Sequence, residues 1–258
     1  MDTEQAYSPP PTALIYCAVL EDEVRCFSRG MAHIVARHEL PQGLHNTPTL
    51  LRERLQAAVD ELEAQTPAEA IVLGYGLCSR GTEGVTARRA RIVIPRAHDC
   101  ITLLLGSKER YAEYVRQNPG TYWYSPGWNR HHVPPGEARH RLLYEQYRQK
   151  FSEDDAQYLM ETEQAWFSSY DRATFVDLGA VDPEADVAYT QQCAAWLKWK
   201  FDRQHGDPKL FIDLLSGPWD AGRFVVMAPG ETFKMTADER VIERVELTVR
   251  GKTPEPTR

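Results

Sequence analysis

Short β-branched apolar runs alternate along this chain with longer stretches whose apolar residues recur at helical spacing. Ala13-Leu14-Ile15-Tyr16-Cys17 is the first such run, after Ser8-Pro9-Pro10-Pro11, which reads as part of a disordered N-terminal tail. Between Pro48 and Gln65, Leu51, Leu55, Val59 and Leu62 fall on one stripe, which predicts an amphipathic helix. Thr47 stands at its N-cap position and Pro48 at its first helical residue. Ala70-Ile71-Val72-Leu73 and Arg91-Ile92-Val93-Ile94 read as two more strands. The rhythm predicts an α/β fold: a mostly parallel open sheet with helices on both faces.

The middle of the chain breaks this rhythm. Ser107 is placed to cap a helix running to about Arg116, and Gly120 to Asn129 reads as an aromatic loop punctuated by glycine and proline. Polar helices are expected over residues 137–150 and 153–170, the second opened by Ser152 with Asp155 in capping-box register. Residues 107–172 are therefore expected to form a helical cap inserted in a single α/β domain spanning residues 12–250. Strands are then expected at Thr174–Leu178, Leu210–Leu215 and Arg223–Ala228, a helix at Ala185–Phe201 and an edge strand at Val241–Val249. Residues 1–11 and 251–258 read as tails. No repeat of fixed period is present.

The chain has 258 residues, 42% of them hydrophobic and 26% charged, enough apolar chain for a substantial core. Lys+Arg 30 against Asp+Glu 37 leaves a net charge of −7, which disfavours nucleic acid and anionic membrane as partners. No run approaches the roughly 20 apolar residues of a membrane span. Met1 to Pro11 has neither a basic n-region nor an apolar h-region, so a cytoplasmic location is expected. Five cysteines at irregular spacing do not suggest a disulfide framework, which leaves free thiols or metal ligands.

Placement separates those cysteines. Cys17, Cys78 and Cys100 all fall at the carboxyl ends of expected strands, where the loops of an open α/β sheet converge on a ligand crevice. His98 stands two residues before Cys100, so one loop presents imidazole and thiol together. Soft thiolates with one imidazole form a tetrahedral zinc site or an iron–sulfur ligand set. A lone strand cysteine is ordinary core filler, but three at one sheet edge, one of them within His-x-Cys, favour a metal site at Cys17, Cys78, His98 and Cys100. Cys26 and Cys193 read as structural, with Cys26 as a substitute for Cys17 if the first strand ends elsewhere.

Around this set, Gly74-x-Gly76 reads as a tight turn that brings Cys78 into the crevice. Tyr75 within that turn and Arg96 beside His98, the latter able to hold an anionic substrate, are the candidate catalytic side chains. Tyr122, Trp123 and Trp128 are candidate walls for an apolar substrate or planar cofactor, with packing onto the sheet as the alternative. Glu21, Asp22, Asp220, Glu231 and the His131-His132 pair read as ordinary surface groups.

Leu73-Gly74-Tyr75-Gly76-Leu77-Cys78, the stretch from Ile94 to Ser107, Gly120-Thr121-Tyr122-Trp123 and Pro126-Gly127-Trp128 together resemble the family called domain of unknown function 1638. The resemblance extends from Ile15 to about Val226. It implies no assigned activity, only a setting beside corrinoid-dependent methyl transfer, often as accessory proteins. Ala18 stands where the family pattern leads one to expect glycine after the first cysteine.

These readings combine into an expected zinc-dependent methyl or alkyl transfer enzyme, in which metal coordination keeps a substrate thiol deprotonated and nucleophilic. A small-molecule substrate and a corrinoid protein are its expected partners. One alternative is a non-catalytic accessory protein that handles a metal, an iron–sulfur cluster or a corrinoid. Another is a metal-free nucleophile, Cys78 or Cys100, with His98 as base.

Overall fold

The computed structural model describes residues 7–246. In chain order the elements are β1 (Thr12–Cys17), α1 (Glu21–Phe27), β2 (Ile34–Leu40), α2 (Pro48–Gln65), β3 (Ala70–Gly74), β4 (Arg91–Pro95), α3 (Cys100–Leu105), α4 (Lys108–Gln117), β5 (Thr121–Tyr124), α5 (Pro126–His131), α6 (Glu137–Arg148), α7 (Glu153–Gln164), β6 (Arg172–Asp177), α8 (Glu184–Leu197), β7 (Lys200–His205), α9 (Lys209–Ser216), β8 (Phe224–Met227), β9 (Glu231–Met235) and β10 (Ile242–Glu246). Short 3₁₀ turns at Ala18–Leu20, Gln42–Asn46 and Ala165–Ser169 join some of them.

The fold is α/β. A five-stranded sheet runs in the order β2-β1-β3-β4-β8, parallel except for the antiparallel edge strand β8. Every residue of β1 and β3 is buried, as expected for parallel strands covered on both faces. At the rim, β2 alternates between exposed and half-buried positions between its buried end residues. The chain leaves β1 towards β2 on one side and returns to β3 on the other, so the strand order reverses between β1 and β3. Their carboxyl ends therefore flank the crevice where open α/β sheets bind ligands. Because parallel crossovers are right-handed, the two opposite steps put α1 and α2 on opposite faces. Phe27 of α1 meets Phe211 of α9 with ring centroids 6.0 Å apart, which shows α9 covering the α1 face.

The segment expected to be a helical cap holds α4 to α7, but it also supplies a strand. The Thr121–Tyr124 part of the aromatic stretch is β5, which pairs in parallel with β6, and β6 pairs in parallel with β7. This second sheet has its own small core of Tyr124, Ala173, Phe175, Val187, Cys193 and Ala194. Ser125 caps α5 by accepting from the Trp128 N–H, so the presumed loop is a strand followed by a helix. Neither β5 nor β7 shows a clear period in sequence: β5 has four residues, and β7 is the polar, half-exposed edge Lys-Phe-Asp-Arg-Gln-His.

Leu210–Leu215, expected as a strand, is the helix α9. Leu210, Phe211, Leu214 and Leu215 form its buried stripe at i, i+1, i+4 and i+5, and Asp207 accepts from the Lys209 N–H at its start. The expected edge strand after Val241 pairs with β9 as an antiparallel hairpin, outside both sheets. Its end at Val249, like residues 1–6 and 251–258 of the expected tails, lies outside the described residues. The helix at Pro48–Gln65 and the caps at Ser107 and Ser152 form as the sequence predicts, whereas Thr47 makes no side-chain cap bond.

Candidate functional site

Cys17 ends β1 and is fully buried, while Cys78 is 4% exposed in the loop after β3. Cys100 is the first residue of α3 and is half-buried. The three thiols lie close enough that charge on Cys17 raises the pKa of Cys78, and charge on either raises that of Cys100. Burial is the larger cause in each case and pushes the Cys17 thiol up to about 12. All three lie near Tyr75, whose fully buried hydroxyl is beside the Cys17 thiol without reaching a hydrogen bond of ordinary geometry.

Backbone geometry explains how sequence-distant cysteines meet. The Leu77 and Cys78 N–H groups donate to the carbonyls of Ala97 and His98, both at 3.0 Å, tying the loop after β3 to the loop after β4. Gly76 is needed for that approach: a β-carbon there would stand 2.6 Å from the Asp99 nitrogen and 2.7 Å from its Cα. Thr82 donates from its hydroxyl to the Gly76 carbonyl at 3.1 Å, holding the turn from below. Cys78, Ser79 and Arg80 then adopt left-handed backbone in succession, with φ of 46°, 54° and 66°. Three such non-glycine residues in a row are costly, and strain of this kind concentrates at functional loops.

Cys100 also faces a cavity of about 510 Å³, which lies where the carboxyl end of the first sheet meets β5 and α5 of the second unit. Tyr122, Trp123 and Trp128 line it, so the structure brings the expected aromatic wall to the thiol cluster. Tyr111 and Tyr170, not singled out by the sequence, complete that wall. Asp99 lines it too. Its Oδ1 caps α3 by accepting from the Ile101 and Thr102 N–H groups at 3.0 and 3.3 Å, and its Oδ2 accepts from the Tyr111 hydroxyl at 3.1 Å. Burial raises the Asp99 carboxyl pKa, and these three donors oppose that rise.

The structure separates the two candidate imidazoles. His98 is exposed and packs beside Tyr111 with ring centroids 6.2 Å apart. His45, in the turn after β2, lines the cavity and stacks on Tyr75 at 6.1 Å. Its Nδ1 lies 2.8 Å from the Gln42 carbonyl, which can only accept, so Nδ1 carries the proton. The other ring nitrogen, Nε2, is a buried lone pair without a protein partner, and desolvation lowers the ring's pKa, favouring the neutral form. The sequence offers no local sign of this role, because His45 follows an edge strand of irregular pattern and has no ligand-like spacing to any cysteine.

Arg96 is engaged elsewhere. Its guanidinium donates to the carbonyls of Ala221 at 2.8 Å, Arg240 at 3.0 Å and Ile242, anchoring the terminal hairpin. Cys193 is buried in the second core, and Cys26 is half-buried on α1. His132 packs on Trp128 with centroids 4.5 Å apart, and His131 lies 3.7 Å from Glu21. Asp220 is held by Arg223, and Glu231 faces Arg244 at 3.6 Å.

Asp22 and Glu23 are buried, not surface loop acids: both are 2% exposed in the first turn of α1. Asp22 pairs with Arg130 of α5 at 2.7 Å and with Arg25. Burial raises the Glu23 carboxyl to about 7, with Asp22 and Asp177 adding to the rise and Arg130 opposing it. Here α5 also presses on the 3₁₀ turn that follows Cys17. A β-carbon on Gly127 would stand 1.9 Å from the Val19 carbonyl oxygen.

Fold and site together define an α/β protein with three thiols beyond the carboxyl ends of β1, β3 and β4 and an aromatic cavity that Cys100 lines. The chain belongs to the family described as a protein of unknown function (DUF1638), whose model matches residues 39–215. Cys78 and Cys100 fall within that match and Cys17 precedes it. No curated protein and no solved structure matches the chain. No helix among the described residues is long and apolar enough to cross a membrane.

Proposed function

We propose that the chain is a metal-dependent methyl or alkyl transfer enzyme, with zinc held at Cys17, Cys78 and Cys100 and the transfer carried out in the adjoining cavity. One observation carries the reading: Cys100 belongs both to the three-thiol cluster and to the cavity wall. A site enclosed on all sides would be structural, whereas one whose ligand faces a ligand-sized space can admit substrate.

The donor set fits a soft metal in kind. Three thiols near enough to feel one another's charge, with pKa values raised by burial, stay protonated until a cation offsets that charge. The unpartnered His45 Nε2 is the imidazole that shares the cavity with Cys100, whereas His98 is exposed. Among the described residues, no group of three or more His, Cys, Asp or Glu side chains is already disposed to hold a metal ion, so side-chain adjustment on binding is part of the proposal. When bound, zinc would supply Lewis acidity that keeps a substrate thiol deprotonated near neutral pH. The chain's own residues do the rest: Asp99 fixes the start of α3 and with it Cys100, and Tyr122, Trp123 and Trp128 offer the substrate an apolar surface. A corrinoid protein is the proposed partner in methyl transfer.

Replacing Cys78 or Cys100 by serine should abolish stoichiometric zinc in protein purified without oxygen or chelator. Undiminished zinc in both variants would refute the site. The near-complete burial of Cys17 and Cys78 favours a second reading, a non-catalytic metal, iron–sulfur or corrinoid-handling accessory protein. Brown or pink protein would select it.

A further inference from the structure

The cavity has a charge character as well as a shape. Five of its lining residues are aromatic: Tyr111, Tyr122, Trp123, Trp128 and Tyr170. Their rings do not form one flat slot. Tyr111 and Trp123 are nearly parallel, with an interplanar angle of 21° at 6.1 Å, whereas Tyr122 and Tyr170 meet edge-on at 73° and 5.6 Å. The rings that line the space are therefore inclined to one another and not coplanar. Among the described residues, no lysine or arginine lines it, and the one carboxyl group that does is Asp99. Its carboxyl oxygens accept three hydrogen bonds, which fix the group in place.

Aromatic faces carry negative quadrupole potential, and several of them around a desolvated space attract a cation too diffuse to demand hydrogen bonds. A carboxylate at the rim adds to that attraction. An anion would meet repulsion from the ring faces and find no lysine or arginine, the one imidazole there, His45, being held in its neutral form by burial. We propose that this cavity binds a methylated organic cation, a quaternary ammonium or a sulfonium, with its methyl groups against the aromatic faces and its charge towards Asp99. The inference deepens the alkyl-transfer reading by naming the class of alkyl donor, but the binding itself requires no metal. In the transfer, a bond forms between the acceptor thiol sulfur and the methyl carbon as the N–C or S–C bond of the cation breaks. The electron pair stays with the departing nitrogen or sulfur, and the thiol proton goes to solvent. The product is a neutral amine or thioether, which loses the attraction that held the cation and can leave.

The test is calorimetric titration of the purified protein with choline, with its dimethylsulfonium analogue and with 3,3-dimethyl-1-butanol, the neutral isostere of choline. Saturable binding of at least one cation, tenfold or more tighter than the neutral isostere, is expected. Whichever cation binds more tightly identifies the central atom. Trp123→Leu should weaken that binding at least tenfold, Trp123→Phe should retain most of it, and Asp99→Asn, which keeps an oxygen to cap α3, should weaken it severalfold. Equal binding of the neutral isostere, or no saturable binding of either cation, would overturn the proposal. Cys78→Ser should lose zinc and keep the cation, so failure of the metal site and failure of the cation cavity give different results.

Discussion

The two walls of the cavity are built in opposite ways. The thiol wall, of which Cys100 faces the cavity while Cys17 and Cys78 lie behind it, is set beyond the carboxyl ends of β1, β3 and β4, all central strands, and its backbone is locked by interloop hydrogen bonds and three successive left-handed residues. The aromatic wall comes from α4, the four-residue strand β5, the one-and-a-half-turn helix α5 and a 3₁₀ turn, and its side chains are mostly half-buried. A reactive group must be held to a fraction of an ångström, and a buried sheet end does that. A surface that selects a ligand by shape and charge tolerates more freedom, and short elements at the edge of a small second sheet provide it. On this account chemistry belongs to the first wall and selection to the second.

The joint between the walls is where the comparison can be broken most severely. Gly127→Ala forces a methyl group to within 1.9 Å of the Val19 carbonyl oxygen as the backbones stand. Relief requires α5 to lift from the turn after Cys17, at a cost of about 3 kcal/mol or more. A lower unfolding midpoint with altered tryptophan emission is the expected outcome, and an unchanged midpoint would mean that the two walls are not clamped there.

The same joint should respond to pH. Glu23 has a folded pKa of about 7 against an ordinary 4.5, so between those values the folded state binds more proton than the unfolded chain. Its contribution to stability is whole below pH 4.5 and is lost as pH rises through 7, amounting to about 2–3 kcal/mol. Glu23→Gln should remove that slope, and denaturant titrations at pH 5 and pH 8 compare the two proteins directly. An equal slope in both would assign the pH dependence to other groups.

Changes within one wall should be smaller. Gly76→Ala pushes the Asp99 loop away from the Cys78 turn and should cost about 1–3 kcal/mol while leaving cation binding less affected than zinc binding. Arg96→Ala removes donors to two carbonyls of the terminal hairpin and to the Ala221 carbonyl before β8, which should cost about 1–2 kcal/mol without changing either ligand, as chemical denaturation and the two binding assays would show. The smallest expected effect is kinetic. Because burial pushes the Cys17 thiol up to about 12 and raises the other two, metal-free protein should react slowly with iodoacetamide at pH 7, faster as pH rises. Rapid alkylation of Cys78 or Cys100 at pH 7 would instead favour the metal-free nucleophile.

The thiol wall was largely legible in the sequence and the aromatic wall only in part. Strands β1, β3 and β4 each carry a short apolar run, and β3 and β4 end in glycine and proline, so Cys17, Cys78 and Cys100 could be assigned to one sheet edge without coordinates. Tyr75 came with the turn that carries it. His45 was not legible, because its place depends on the irregular edge strand β2 and on a tertiary contact with Tyr75. Tyr122, Trp123 and Trp128 were recognisable as an aromatic cluster, but a short strand paired across about fifty residues leaves no local trace, and neither did the second sheet it begins. The segment read as strand at Leu210–Leu215 shows the limit of short apolar runs, which fit a buried helix as well as a strand.

Cobalt substitution tests the central claim, that three thiols share one site, most directly. Protein purified without oxygen and loaded with Co²⁺ should take up one ion per chain and show intense sulfur-to-cobalt charge-transfer absorption in the near ultraviolet. That absorption should fall in steps in Cys17→Ser, Cys78→Ser and Cys100→Ser. A protein that takes up no cobalt, or whose spectrum is indifferent to all three substitutions, would contradict the account.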